Sequence, residues 1–206
     1  MIQKAMTIAY RVEDKLYLNL TNRCPCACTF CIRKNGSGAY GSDPLWLEHE
    51  PSLQEVREAI DKADPSKYTE VVFCGYGEPT EALELLCETA DYLREKYPGI
   101  PTRLNTNGLS DLIHGKETAH LLKGRIHTVS VSLNAGTKEE YLRVTQPKFG
   151  EESYQAMQQF ALHCKSYVDK VLFTVVDILS EEEMSASRRL AEKLGIGLRI
   201  REYIED

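Results

Sequence analysis

Apolar positions along this chain switch between two periods. Lys15-Leu16-Tyr17-Leu18-Asn19-Leu20 alternates, which predicts a strand, with Thr7 to Val12 as a hairpin partner before it. Behind the capping box Ser52-Leu53-Gln54-Glu55, the residues Leu53, Val56, Ile60 and Ala63 recur at helical spacing until Pro65 stops the helix. The short apolar run Glu70–Cys74 has the character of a buried strand. A helix with Leu83, Leu86, Ala90 and Leu93 on one face follows, capped by Thr80 and ended by Tyr97-Pro98-Gly99. Pro101–Asn105 predicts the next strand, Leu109–Leu122 a helical stretch, and Ile126–Asn134 another strand. Thr137-Lys138-Glu139-Glu140 is a further capping box, and Tyr154, Met157, Ala161 and Cys164 mark one more helical face. Lys170–Asp177 and Gly197–Tyr203 predict the last two strands, around a helix capped by Ser180 with Glu183 and closed at Gly195.

Strands and capped helices thus alternate about six times, without repeats or a linker, which predicts an α/β fold with a parallel sheet. Right-handed crossovers curve such a sheet in one sense. A closed eight-fold barrel typically takes about 250 residues. The 206 residues here suit one domain, 1–206, built as an open, partial (β/α)6 TIM-like barrel. A doubly wound dinucleotide fold would need G-x-G-x-x-G after the first strand, where this chain carries cysteines instead.

Composition narrows the classes. At 42% hydrophobic and 27% charged residues the chain is globular rather than disordered. A formal net charge of −6 excludes a bulk basic field for nucleic acid and leaves room only for a local patch. Met1-Ile2-Gln3-Lys4-Ala5-Met6 lacks the apolar core of a signal peptide. No run approaches a membrane span. Seven cysteines without an export signal imply a reducing cytoplasm.

Candidate chemistry concentrates in Cys24-Pro25-Cys26-Ala27-Cys28-Thr29-Phe30-Cys31. Cys24, Cys28 and Cys31 have the spacing C-x3-C-x2-C, which brings soft thiolates together and selects zinc, copper(I) or an iron–sulfur cluster. Cys26, two residues from both neighbours, is expected to point elsewhere. A zinc knuckle would want a second Cys or His pair at ligand spacing, and a disulfide framework fits neither the compartment nor the odd count. A three-cysteine site leaves one metal position open, as catalytic centres do. A second motif, Gly75-Tyr76-Gly77-Glu78-Pro79-Thr80, ends a strand: its glycines permit close backbone approach, and its carboxylate suits a ligand ammonium. Asn105-Thr106-Asn107-Gly108 reads equally as a turn and as a cavity rim. His114 and His120 have no partner at metal spacing and are expected at the surface. Trp46 packs in the core or lines a mouth. The Gly/Ser stretch 35–42 covers the site or is a plain surface loop. Asp177 faces the cavity or begins a turn, and Arg143 pairs with a ligand carboxylate or with a surface acid.

C-x3-C-x-aromatic-C after the first strand resembles the signature of the radical S-adenosylmethionine (radical SAM) superfamily. The resemblance implies that Cys24, Cys28 and Cys31 hold a 4Fe–4S cluster whose fourth iron chelates S-adenosylmethionine (SAM), with Phe30 near the adenine. One electron, from a flavodoxin or ferredoxin, then cleaves SAM to a 5′-deoxyadenosyl radical that abstracts hydrogen from a substrate. It further implies that Gly75, Gly77 and Glu78 bind the SAM amino group and that Asn105 and Asn107 stand at the rim. Ser132 and Asn134 would hold the ribose and carboxylate, Arg143 a carboxylate, and residues near Ile200 to Tyr203 the adenine. Gly-Tyr-Gly-Glu-Pro-Thr, Asn-Thr-Asn-Gly-Leu and Ser-Leu-Asn-Ala together are most similar to the small TatD-linked radical SAM proteins. A minimal core with one cluster and no auxiliary-cluster extension is expected, oxygen-sensitive and acting in the cytoplasm. Its substrate is a small molecule, RNA or protein, and a homodimer stays open. The alternative from another class is a non-catalytic iron–sulfur electron carrier or a zinc-stabilised adaptor.

Overall fold

The computed structural model describes residues 3–34 and 38–203. Seven strands form one sheet in sequence order: β1 (Ala9–Val12), β2 (Lys15–Leu18), β3 (Val71–Phe73), β4 (Thr102–Thr106), β5 (Thr128–Ser132), β6 (Lys170–Val176) and β7 (Gly197–Arg201). β1 and β2 are an antiparallel hairpin, and β2 to β7 run parallel, each paired to the next. The sheet does not close, so β1 and β7 are its edges. The expected open six-unit parallel barrel, with an added hairpin strand, is the observed architecture.

Helices α1 (Leu53–Ala63), α2 (Leu83–Lys96), α3 (Ser110–His114), α4 (Lys138–Thr145), α5 (Glu152–Cys164) and α6 (Glu181–Leu194) accompany the sheet. Leu16, Leu18, Val71, Phe73, Leu104, Val129, Val131, Phe173 and Val175 leave the strands on one face and bury against Val56, Ile60, Leu86, Leu93, Met157 and Phe160 of the helices. At about 25 cal/mol per Å² of apolar surface, such burial is the main drive to fold. Alternation along each strand leaves the other face for different residues.

Side-chain caps open α1, α4 and α6. Ser52 and Glu55 form the expected reciprocal box on α1, and Ser180 accepts from the Glu183 amide on α6. Two expectations are corrected. Glu78, not Thr80, caps the 3-10 turn before α2, because its carboxylate reaches the Thr80 amide. Thr137 caps α4, but the Glu140 carboxylate turns to Arg143 and leaves the box half made. The stretch Leu109–Leu122 is also broken. α3 ends at Gly115, whose φ of 64° is left-handed, and a 3-10 turn (Ala119–Leu122) follows.

Trp46 is half-buried in a second apolar group with Tyr10, Val12, Ala39, Leu45 and Tyr76, edge-on to the Tyr76 ring at 5.3 Å. Among the described residues no helix is long and apolar enough to cross a membrane. Of the Gly/Ser stretch, residues 35–37 lie outside the described residues.

Candidate active site

All the sequence motifs sit at the C-terminal end of the parallel strands, where barrel folds build their sites. The cysteine loop leaves β2 and is held from two sides. On one side α4 ends, and its carbonyls have no partner within the helix. The loop supplies the donors: Ala27 N–H to Thr145 O at 3.0 Å and Thr29 N–H to Val144 O at 2.8 Å. Cys26 bridges Pro147, and Lys148 N–H donates to Pro25 O at 2.8 Å. On the other side Arg33 donates to the Cys26 carbonyl at 2.9 Å and lies over the Trp46 ring. The Tyr141–Pro147 segment is therefore the seat of the cysteine loop.

Within the loop, Cys24, Cys28 and Cys31 are half-buried and Cys26 is buried. Cys26 does not point elsewhere, as its spacing suggested. Its thiol stands close enough to those of Cys24 and Cys28 to hold the two outer thiols below the usual range, while the middle one is pushed well up. Burial raises Cys31. Soft thiols, two of them biased toward thiolate, are a donor set that fits an iron–sulfur cluster. Among the described residues no three His, Cys, Asp or Glu side chains are already drawn into metal-ligand geometry.

The strand-end carboxylate is the best-connected group nearby. Glu78 is 4% exposed. Its Oε1 accepts from Thr80 N–H (3.1 Å), Thr80 Oγ1 (2.8 Å) and Thr106 Oγ1 (2.7 Å), and its Oε2 from Asn107 N–H (2.7 Å). Desolvation nevertheless raises its pKa, against the pull of those donors. A buried carboxylate with no cation bonded to it among the described residues fits a ligand ammonium. Gly75 and Gly77 have a packing reason beside any ligand role. A Cβ at Gly75 would stand 2.0 Å from Asn19 Oδ1, and one at Gly77 2.2 Å from the Thr21 carbonyl. Glu78 N–H donates to Arg23 O at 2.8 Å, so this turn docks directly on the base of the cysteine loop.

Asn107 joins the same network. Its Oδ1 takes the Leu109 amide in a turn, and its Nδ2 reaches Cys26 Sγ at 3.8 Å. Both the turn and the site contact are thus realised. Across the mouth, Phe30, Asn134 and Arg143 line a cavity of about 80 Å³ with Thr29, Glu140, Val144, Val176, Ile178 and Leu179. Asn134 is buried at a left-handed φ of 63°, and its Oδ1 has no hydrogen-bond partner among the described residues. Asn105 Oδ1 is equally unpartnered among the described residues, and the Asn105 side chain opposes the rise that burial causes in the Cys74 thiol. Asn105, like Ser132 at the end of β5, is half-buried on the sheet.

Other expectations find structural duties. Arg143 is exposed and makes a two-pronged ion pair with Glu140, at 2.6 and 2.5 Å. Asp177 accepts from Tyr203 N–H at 2.8 Å and so ties the chain after β7 to the end of β6. Ile200 is 39% exposed. His120 is exposed beside Glu117, whereas His114 is half-buried and bonds to the Thr80 carbonyl at 2.8 Å. Sequence reasoning missed Glu183. From α6 its carboxylate takes the Gly136 and Thr137 amides and the Thr137 hydroxyl, at 3.0, 3.1 and 2.7 Å, and so fixes the loop that carries Asn134.

The sequence model of the radical SAM superfamily matches residues 18–191. The chain is 30% identical over 139 residues to GTP 3′,8-cyclase of Rhodococcus opacus (strain B4), covering 66% of this chain and 36% of that protein. It is 25% identical over 193 residues to the FeMo cofactor biosynthesis protein NifB of Chlorobaculum tepidum, covering 92% and 41%. The chain therefore spans about two fifths of the length of these curated relatives. Among solved structures, SuiB of Streptococcus suis bound to the precursor peptide SuiA has a TM-score of 0.68 at 18% identity, over 93% of this chain and 40% of that one. For anSMEcpe with bound AdoMet the TM-score is 0.64 at 17% identity, over 92% and 51%. These two likenesses carry the fold alone.

Proposed function

Since the chain belongs to the radical SAM superfamily, whose members use a 4Fe–4S cluster and SAM, we propose that Cys24, Cys28 and Cys31 hold that cluster and that the chain cleaves SAM reductively. A cluster held by these three thiolates would supply an open iron for SAM and one electron from the external reductant to break its sulfonium–C5′ bond, with methionine as the leaving group, for hydrogen abstraction from the substrate. The observation that carries this reading is the shared network of motifs: Glu78 bonded to the Asn107 amide, and Asn107 to the cysteine loop.

The chain's own residues have separable parts in it. The end of α4 sets the curvature of the cysteine loop. Glu78 receives the SAM ammonium, a charge that offsets its burial, while Thr80, Thr106 and Asn107 hold the carboxylate in place. Asn134 offers an unused acceptor to a ribose hydroxyl, with Ser132 before it on the same strand end. Phe30 gives the adenine an apolar wall. Gly75 and Gly77 bring their turn against the cysteine loop. Arg143, engaged with Glu140 at the rim, contributes orientation of a carboxylate only after releasing that partner. The reductant is a flavodoxin or ferredoxin, and the compartment is the cytoplasm. Gly-Tyr-Gly-Glu-Pro-Thr, Asn-Thr-Asn-Gly-Leu and Ser-Leu-Asn-Ala support grouping the chain with the small TatD-linked proteins.

The test is anaerobic reconstitution with iron and sulfide, followed by electron paramagnetic resonance of the reduced protein with and without SAM. A cluster signal that SAM perturbs is expected. A signal indifferent to SAM would favour an electron carrier and overturn the reading.

A further inference from the structure

The face of the sheet turned away from the helices is polar where a barrel interior is usually filled by Val, Ile and Leu. Strand register assembles it. Tyr17, Val72 and Arg103 stand side by side across β2, β3 and β4. Asn105 pairs with Ser130, Ser132 with Thr174, Thr174 with Arg199, and Val176 with Arg201. Cys74 follows β3 on this face, half-buried and near the Asn105 side chain.

Two arginines stand out on this face. Arg103 is 7% exposed, and one terminal nitrogen meets Glu70 at 3.1 Å. Its Nε is buried without a hydrogen-bond partner among the described residues, and so is the Nε of Arg201. The two cations leave the same face of the sheet, from strands three apart. The fields of both reach the Cys74 thiol and oppose the rise that burial causes there. The phenol of Tyr17, pushed up to about 12 chiefly by burial, also feels Arg103. The charged residues on this face are therefore Arg103, Arg201 and the exposed Arg199 and Lys170 against Glu70, with Glu78 beyond Cys74. An unpaired guanidinium edge is costly to bury. It is suited to a carboxylate or phosphate, which the planar guanidinium meets with two parallel hydrogen bonds.

We propose that Arg103 and Arg201, with Tyr17 and Asn105 beside them, bind the anionic end of a small-molecule substrate, a carboxylate or phosphate held on the inner face of the sheet beneath the SAM site. Arg103 is too deep for a polymer backbone, so the anion is an end group that enters the concavity. The inference rests on the reading that SAM occupies the mouth above.

Calorimetric titration of the cluster-loaded protein under anaerobic conditions tests it, with and without SAM. Inorganic phosphate and succinate are the probes, and chloride at equal ionic strength is the control. Saturable binding of one probe is expected, phosphate or succinate according to the source of the anion. The affinity should fall at least tenfold in Arg201→Gln and stay unchanged in Arg189→Gln, an exposed arginine of α6 bonded to Ser185. Arg103→Lys, which keeps the charge opposite Glu70 but loses the fork, should weaken the same probe. Iron content should be unchanged in all three, and SAM affinity in Arg103→Lys and Arg189→Gln. The proposal is overturned if neither probe saturates, or if both variants bind as the parent does. It is also overturned if Arg201→Gln loses SAM together with the anion, because the arginine would then serve SAM. If the parent protein binds no SAM, the reading of the mouth fails instead, and the titrations without SAM still decide the anion site.

Discussion

Replacing Glu78 by glutamine removes one charge from the centre of the site and keeps its shape. The carboxylate accepts four hydrogen bonds, three at Oε1 and one at Oε2. A glutamine oxygen in the Oε1 position keeps the three from Thr80 and Thr106. Its amide nitrogen then faces the Asn107 N–H, donor against donor, where the carboxylate bond is 2.7 Å. Leaving a buried donor unsatisfied costs about 1–3 kcal/mol. For a chain of this size that is a fall of about 3–10 °C in Tm. The penalty depends on pH. Burial raises the folded-state pKa of Glu78, so the parent is most stable with the group protonated, and it loses stability as pH climbs from the ordinary carboxylate range through the raised value. Glutamine has no proton to lose. The deficit of Glu78→Gln should therefore be largest at acid pH and shrink as pH rises. Thermal unfolding of the metal-free, reduced protein across a pH series reads this directly. A deficit that grows with pH would refute the reasoning, since the folded carboxylate would then be the favoured form. In the same variant SAM affinity should fall about ten- to hundred-fold, the worth of one hydrogen bond to a charged group.

Three further substitutions probe the frame around it. Gly77→Ala drives a Cβ to 2.2 Å from the Thr21 carbonyl and 2.7 Å from that of Arg23. Overpacking of this kind costs about 1–3 kcal/mol, and the displaced cysteine loop should retain less iron on reconstitution, measured by metal analysis. Glu183→Ala removes three acceptor contacts from the loop after β5. It should lower urea stability by about 1–3 kcal/mol and raise proteolytic cleavage near Gly136 while leaving iron content intact. Cys26→Ala should keep the iron content of the parent, because the proposed cluster ligands are Cys24, Cys28 and Cys31; a matching loss to that of Cys28→Ala would make Cys26 a ligand.

Much of this architecture was legible in the chain because its signals are local. The boxes and caps at Ser52 and Ser180, the periodic faces of α1 and α2, and the apolar strands depend on residues a few positions apart. The cysteine spacing with Gly-x-Gly-Glu-Pro behind the next strand was enough to identify the superfamily. Features decided across the fold were not legible. Gly115 breaks the expected Leu109–Leu122 helix because a left-handed glycine ends a turn as readily as it tolerates a helix interior. Cys26 faces its neighbours because its backbone is bridged to Pro147, over a hundred positions away. Glu183 leaves its own helix cap for a loop that sequence gives no reason to place beside it. Arg143 shows the limit from the other side. Its residue type permits both a ligand contact and a surface pair, and only the position of Glu140 at 2.5 Å distinguishes them.

The most direct test of the central claim is product formation. The reconstituted protein, reduced anaerobically with dithionite in the presence of SAM, should release 5′-deoxyadenosine, and Cys28→Ala should release none. A protein that takes up only zinc, or that holds a cluster which never cleaves SAM under any reductant, would contradict the account.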